Sequence, residues 1–388
     1  MAKHIGLYVH IPFCKRKCNY CDFYSFSNKN ELIIDYMKCL IQEIEEVGQG
    51  IALDKENGLN DGAIINTIYI GGGTPSYIDS KYILNIMNSI KDNYILNKPE
   101  VTIEVNPGTV NENKLKEYIN CGINRCSIGL QSSNNELLNL IGRIHNLDDF
   151  MNTYSLARKV GFKNINVDFM IGLPKQTIAD IDEMLELINK IEPEHVSVYS
   201  LIVEKGTKLY TQINDGSLIL PSEDEERKMY WRVKKGLEEL GFEHYEISNF
   251  AKKGFYSRHN MDYWNQKEYI GVGSGAHSYT DNVRYSNIDN IEEYIENYKK
   301  SKQEDNIIFH EKQNVDSKMK EYMILGFRKI KGIEFQEFKN KFGIDLRDVY
   351  KNEIAKLKKY ELIETNESSI FLSDKGIDLA NIVWEEFV

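Results

Sequence analysis

Cysteine is scarce, six in 388 residues. That is too few for a disulfide scaffold, and a reducing compartment leaves such thiols free for metal. Long apolar runs are missing too; nothing approaches the roughly 18 uninterrupted apolar residues of a membrane span. Basic charge is not in excess. Lys and Arg number 48 against 59 Asp and Glu, a net charge of −11, whereas a nucleic-acid partner favours a basic face. The apolar run Ile5 to Phe13 is broken by His10 and Pro12 and meets Cys14-Lys15-Arg16-Lys17-Cys18 with no small-residue cleavage site. It does not read as a secretory leader. No tract is of low complexity. What remains, with 41% hydrophobic and 28% charged residues, is the composition of a cytoplasmic globular protein able to bury a large core.

The first two hundred residues repeat one pattern, a β-branched run, a Gly/Pro/Asn corner and an amphipathic segment. Strands are expected at Ile5–His10, Thr67–Ile70, Val101–Val105, Arg125–Gly129, Asn164–Phe169 and His195–Ser200. Ile33, Met37, Leu40, Ile44 and Val47 mark one helical face between them. Apolar strands alternating with helices imply a parallel sheet covered by helices. Periodicity does not separate an open doubly wound sheet from an incomplete barrel. From Thr207 to Tyr298 the rhythm fades, leaving an acidic helix from Ser222 to Leu240 and the Gly-rich segment Gly271–Gly275. The last ~75 residues read as helices followed by a hairpin, Leu362–Ile363 against Ile370–Leu372, an order resembling a winged helix. The expected modules are 1–207, 208–305 and 306–388.

Cys14, Cys18 and Cys21 form C-x3-C-x2-C in a polar loop after the first strand. A closed electron-transfer cluster uses four cysteines and a structural zinc site four ligands. Three thiolates suit a [4Fe–4S] cluster with one free iron; zinc with His10 as fourth ligand has an unusual spacing. Cys39 and Cys126 lie among core positions and read as small buried hydrophobes. Further candidates sit at strand ends, where α/β folds build their sites. They are the corner Gly71-Gly72-Gly73-Thr74-Pro75, then Glu104, Gln131 and Asp168, with Arg143 as a partner for a carboxylate.

With these residues the chain resembles the radical S-adenosylmethionine (SAM) superfamily. The resemblance implies a partial (βα)6 TIM-like barrel with a small C-terminal winged-helix-like domain. Its triplet would hold three irons while SAM chelates the fourth, and an electron from the cluster would split SAM to a 5′-deoxyadenosyl radical. Within the superfamily the chain is similar to the oxygen-independent coproporphyrinogen III oxidase branch. By that likeness Tyr8, Tyr20, Gly72, Gly73, Thr74, Glu104, Gln131, Arg143 and Asp168 match SAM-contacting positions.

Two departures from the oxidase matter. Its fourth cysteine, in C-x3-C-x2-C-x-C, is Phe23 here, and its N-terminal extension has no counterpart before Cys14. Both departures resemble the HemW-type haem chaperones, as does His259-Asn260-Met261-Asp262-Tyr263-Trp264, which matches their H-N-x-x-Y-W motif. A His followed by a Tyr-Trp pair offers an axial ligand and flat aromatic surface for a porphyrin. The expectation is a haem chaperone with a [4Fe–4S] cluster and SAM, passing haem to acceptor proteins that can include membrane proteins. Haem contacts are expected from His259, Tyr263 and Trp264, with His10 and His277 as further axial candidates. The alternative is oxidative decarboxylation of coproporphyrinogen III, and reductive SAM cleavage is compatible with either.

Overall fold

The computed structural model describes residues 3–50 and 63–388. Met1 and Ala2, where the first module was expected to begin, lie outside the described residues. Six strands, β1 (His4–Ile11), β2 (Ile64–Gly72), β3 (Ile95–Val105), β4 (Arg125–Gln131), β5 (Ile165–Ile171) and β6 (His195–Ser200), pair in parallel and in chain order. Helices such as Ile33–Gly48, Ser80–Asn93 and Ile178–Ile191 make the crossovers. A doubly wound sheet reverses its strand order at a switch point. Here the order never reverses and β1 does not pair with β6, so the sheet is the incomplete barrel.

Side chains alternate along each strand. Val101, Ile103 and Val105, like Ile165, Val167 and Phe169, belong to the core packed under the helices. The intervening residues are polar: Thr102 and Glu104, Asn166 and Asp168, His195 and Ser197. The concave side of the barrel is therefore polar, which places the site there.

The middle region does not stand apart. β7 (Glu243–Glu246) and β8 (Asn249–Ala251) extend the sheet antiparallel beyond β6. β9 (Tyr269–Val272) joins β1 in parallel, and β10 (His277–Thr280), β11 (Val283–Asn287) and β12 (Ile307–Lys312) follow antiparallel. The sheet has 12 strands in all among the described residues, and it runs past residue 306. The Gly271–Gly275 segment is a packing corner. A Cβ on Gly271 would lie 2.2 Å from the His277 carbonyl oxygen, and Gly273 N donates to the buried Glu43 (2.7 Å).

At the C-terminal end, β13 (Ile333–Glu334), β14 (Ile363–Thr365) and β15 (Ser369–Leu372) form a small sheet in the order β13-β15-β14. It is flanked by helices at Val315–Gly326, Phe335–Phe342 and Lys351–Lys359. Phe327, Tyr350 and Phe387 close an aromatic core beneath it. Strand and helix order fit the winged-helix-like expectation.

Candidate cofactor site

The C-terminal ends of the parallel strands surround a cavity of about 490 Å³. Cys14, Cys18, Tyr20 and Cys21 line it from the loop after β1, and Gly72, Gly73 and Thr74 from the corner after β2. Glu104, Gln131, Arg143 and Asp168 complete the wall from the β3, β4 and β5 side. Three hydrogen bonds fix the cysteine loop, one of them within it. Cys14 N donates to Phe26 O (2.8 Å), Lys17 Nζ to Phe23 O (2.9 Å), and Asn19 Nδ2 to Leu140 O (2.9 Å). Gly72 has φ +111°, and a Cβ there would strike the His10 ring at 2.6 Å. The corner after β2 thus needs glycine on both counts.

Donors point at the sulfurs. Thr74 Oγ1 lies 3.4 Å from Cys14 Sγ and Arg143 Nη1 lies 3.5 Å from Cys18 Sγ. The buried Arg143 is itself fixed by Asn106 Oδ1 (2.7 Å) and Gly129 O (2.6 Å). Its Nε, also buried, has no protein partner. None of the three thiols is in a disulfide, and burial raises those of Cys14 and Cys21. Thiolates so placed need positive charge beside them, which Arg143 supplies and bound iron would add. Among the described residues no three His, Cys, Asp or Glu converge on one metal ion. A cluster binds each cysteine through a different iron and suits this wider spread. The zinc alternative lacks its fourth ligand, because His10 faces Tyr8 OH and Tyr24 O (both 2.9 Å) and does not line the cavity.

Two carboxylates line the same cavity as the sulfurs. Glu104 accepts from Tyr69 OH (2.9 Å) and Gly72 N (3.1 Å), and burial raises it to about 7. Asp168 accepts from Asn166 (2.7 Å) and Ser127 (3.1 Å), and burial raises it as well. Tyr8 does not line the cavity; its ring stacks on Tyr69 at 6.2 Å. Tyr69, Asn106 and Ser127 also line the cavity and were not singled out from sequence. At the mouth, Phe23 and Ile202 are 66% and 69% exposed.

The H-N-x-x-Y-W segment lies elsewhere. It forms the helix Arg258–Trp264 against β2, toward the opposite end of the strands. His259 is buried, with Nδ1 on Thr67 Oγ1 (2.8 Å) and Nε2 on Tyr263 OH (2.9 Å). Burial lowers it to about 3. Trp264 lies under the Arg328 guanidinium, 4.3 Å from its ring centroid. His277 is exposed on β10 and stacks on His310 at 5.5 Å.

The radical SAM superfamily profile matches residues 8–188, and that of the HemN C-terminal domain residues 314–379. Heme chaperone HemW of Bacillus subtilis is 35% identical over 388 residues, covering 98% of each chain. Heme chaperone HemW of Lactococcus lactis is 34% identical, covering 100% of this chain and 98% of its own. The chain belongs to the HemW family of radical SAM proteins. The solved coproporphyrinogen III oxidase (HemN) of Escherichia coli superposes with a TM-score of 0.84 at 22% identity. It covers 100% of this chain and 90% of its own, and shares the fold. Radical SAM proteins take a [4Fe–4S] cluster and SAM as cofactors, and the cavity's thiols, buried arginine and carboxylates suit both. No helix among the described residues is long and apolar enough to cross a membrane.

Proposed function

We propose that the chain is a haem chaperone, which binds haem and passes it to acceptor proteins in the cytoplasm or at the membrane. End-to-end similarity to two HemW chaperones carries this reading. Cys14, Cys18 and Cys21 would hold the cluster. Tyr20, Gly72, Gly73, Thr74, Glu104, Gln131, Arg143 and Asp168 would receive SAM, with Tyr8 supporting them from behind. When bound, the cluster supplies a low-potential electron to SAM. The chain's own residues do the rest: Arg143 offsets sulfur charge, Glu104 and Asp168 accept from cationic or hydroxyl donors, and the loop after β1 shields the sulfurs. His259, Tyr263 and Trp264 form the proposed haem set, and His259 must leave both of its hydrogen bonds before it can ligate iron. Phe23 at the mouth, where the oxidase has a thiol, supports the chaperone over the decarboxylase.

Anaerobic reconstitution followed by haem titration tests the reading. Saturable uptake near one haem per chain, with coproporphyrinogen III unchanged in the presence of SAM and reductant, is expected. Conversion of coproporphyrinogen III to protoporphyrinogen, or uptake no better than a nonspecific control protein, overturns it.

A further inference from the structure

We propose that Tyr69 is a positioning residue that couples Glu104 in the cavity to His259, so that an amine-bearing ligand in the cavity holds the Arg258–Trp264 helix in place. Tyr69 bridges the two regions by two different interactions. Its hydroxyl donates to Glu104 Oε1 at 2.9 Å, and its ring stacks on His259 at 5.2 Å and 28°. Tyr8 supports the ring from its other neighbour position at 6.2 Å and 30°. His259 is then fixed by Thr67 and Tyr263, which occupy both ring nitrogens. In this state the imidazole has no lone pair for iron. Ligation of haem iron by His259, as the chaperone reading requires, would therefore need a second arrangement in which the helix leaves β2 and frees the ring.

The direction of coupling follows from the acceptor count. An ionised carboxylate offers about four lone-pair sites. Tyr69 OH and Gly72 N use two of them, so an ammonium can add without displacing the tyrosine. The added cation keeps the carboxylate charged, and hydrogen bonds to a charged acceptor are shorter and stronger. Tyr69 is then held more firmly against His259, and the docked state gains. Linkage makes this reciprocal: whatever frees His259 weakens ligand binding in the cavity by the same factor. A shared two-state element biased from both ends is the physical requirement for such coupling.

Hydrogen exchange of the 258–264 segment in the full, cluster-reconstituted chain tests this, with and without SAM. We expect SAM to slow exchange there by about fivefold or more. Tyr69→Phe keeps the ring but removes the hydrogen bond to Glu104; compared at SAM concentrations that calorimetry shows to saturate it, it should lose the effect. Tyr263→Phe frees one His259 nitrogen and should speed basal exchange while keeping the SAM response. Equal exchange with and without SAM in the native chain, or an undiminished response in Tyr69→Phe, overturns the coupling. The haem arm rests on the chaperone reading: SAM should weaken haem affinity in the native chain and not in Tyr69→Phe. If the native chain takes up no haem, that reading fails, while the exchange measurement still decides the coupling.

Discussion

Glu104 is where a single residue sets a measurable pH dependence. Burial lifts its carboxyl from 4.5 to about 7, so below that pH it is neutral and a poor receptor for a cationic amine. SAM affinity is expected to rise as pH increases through about 7, by up to roughly tenfold per unit below that value. Glu104→Gln should bind SAM weakly and lose the steep rise; calorimetry from pH 6 to 8 compares the two. Folding stability runs the other way. A carboxyl raised in the folded state favours folding below its unfolded value and loses that contribution as pH rises through about 7. Much of this site was legible in sequence. Cys14, Cys18 and Cys21 announce themselves by spacing, and Glu104, Gln131 and Asp168 by their places at strand ends. Tyr69 was not legible, because an aromatic within an apolar strand reads as core until the alternation is anchored by a register. His259 was legible as chemistry but not as burial, since Thr67 and Glu100 reach it from residues more than 150 positions away.

At the scale of the elements, the parallel strands were readable because each is long enough to show its pattern between turn signals. Only the ends moved, most at β3, which begins at Ile95 rather than Val101. The strands flanking the sheet were not readable. β7 to β11 have three to five residues each, too few for a period of two to stand out. Their positions depend on pairing with distant partners. The corner between β9 and β10 gives a sharp test. Gly271→Ala drives a methyl toward the His277 carbonyl and Ala276, both within 3.0 Å of the added carbon. A loss of about 3 kcal/mol is expected, read by chemical denaturation, and a change below 0.5 kcal/mol would show that the corner relaxes freely.

For the whole molecule, the C-terminal module is more than a cap. It grips the residues that follow the Arg258–Trp264 helix. Gln266 Nε2 donates to Lys318 O (3.1 Å) and Glu321 (2.8 Å), and Lys329 Nζ donates to Asn265 Oδ1 (2.7 Å). Lys329 is buried, and burial lowers its ammonium below the ordinary range. Lys329→Met should keep the apolar stem and lose the charged hydrogen bond, costing about 2 kcal/mol. The expected signature is faster exchange at 258–264 with the parallel strands unaffected; uniform change across the sheet would instead mean a general loss of stability. From His310 to Val388 the module carries 14 Lys and Arg against 15 Asp and Glu; a DNA-binding wing favours a basic stripe, and this near-balance agrees with a role turned inward on its own chain. The alternation along β1 to β6 reaches further than stability. Outward positions answer to the helices they touch, and inward ones, a single residue away, answer to whatever the barrel must hold. Inheritance can therefore rewrite the lumen while the framework stays under separate selection, and a lineage can change trade without rebuilding its house.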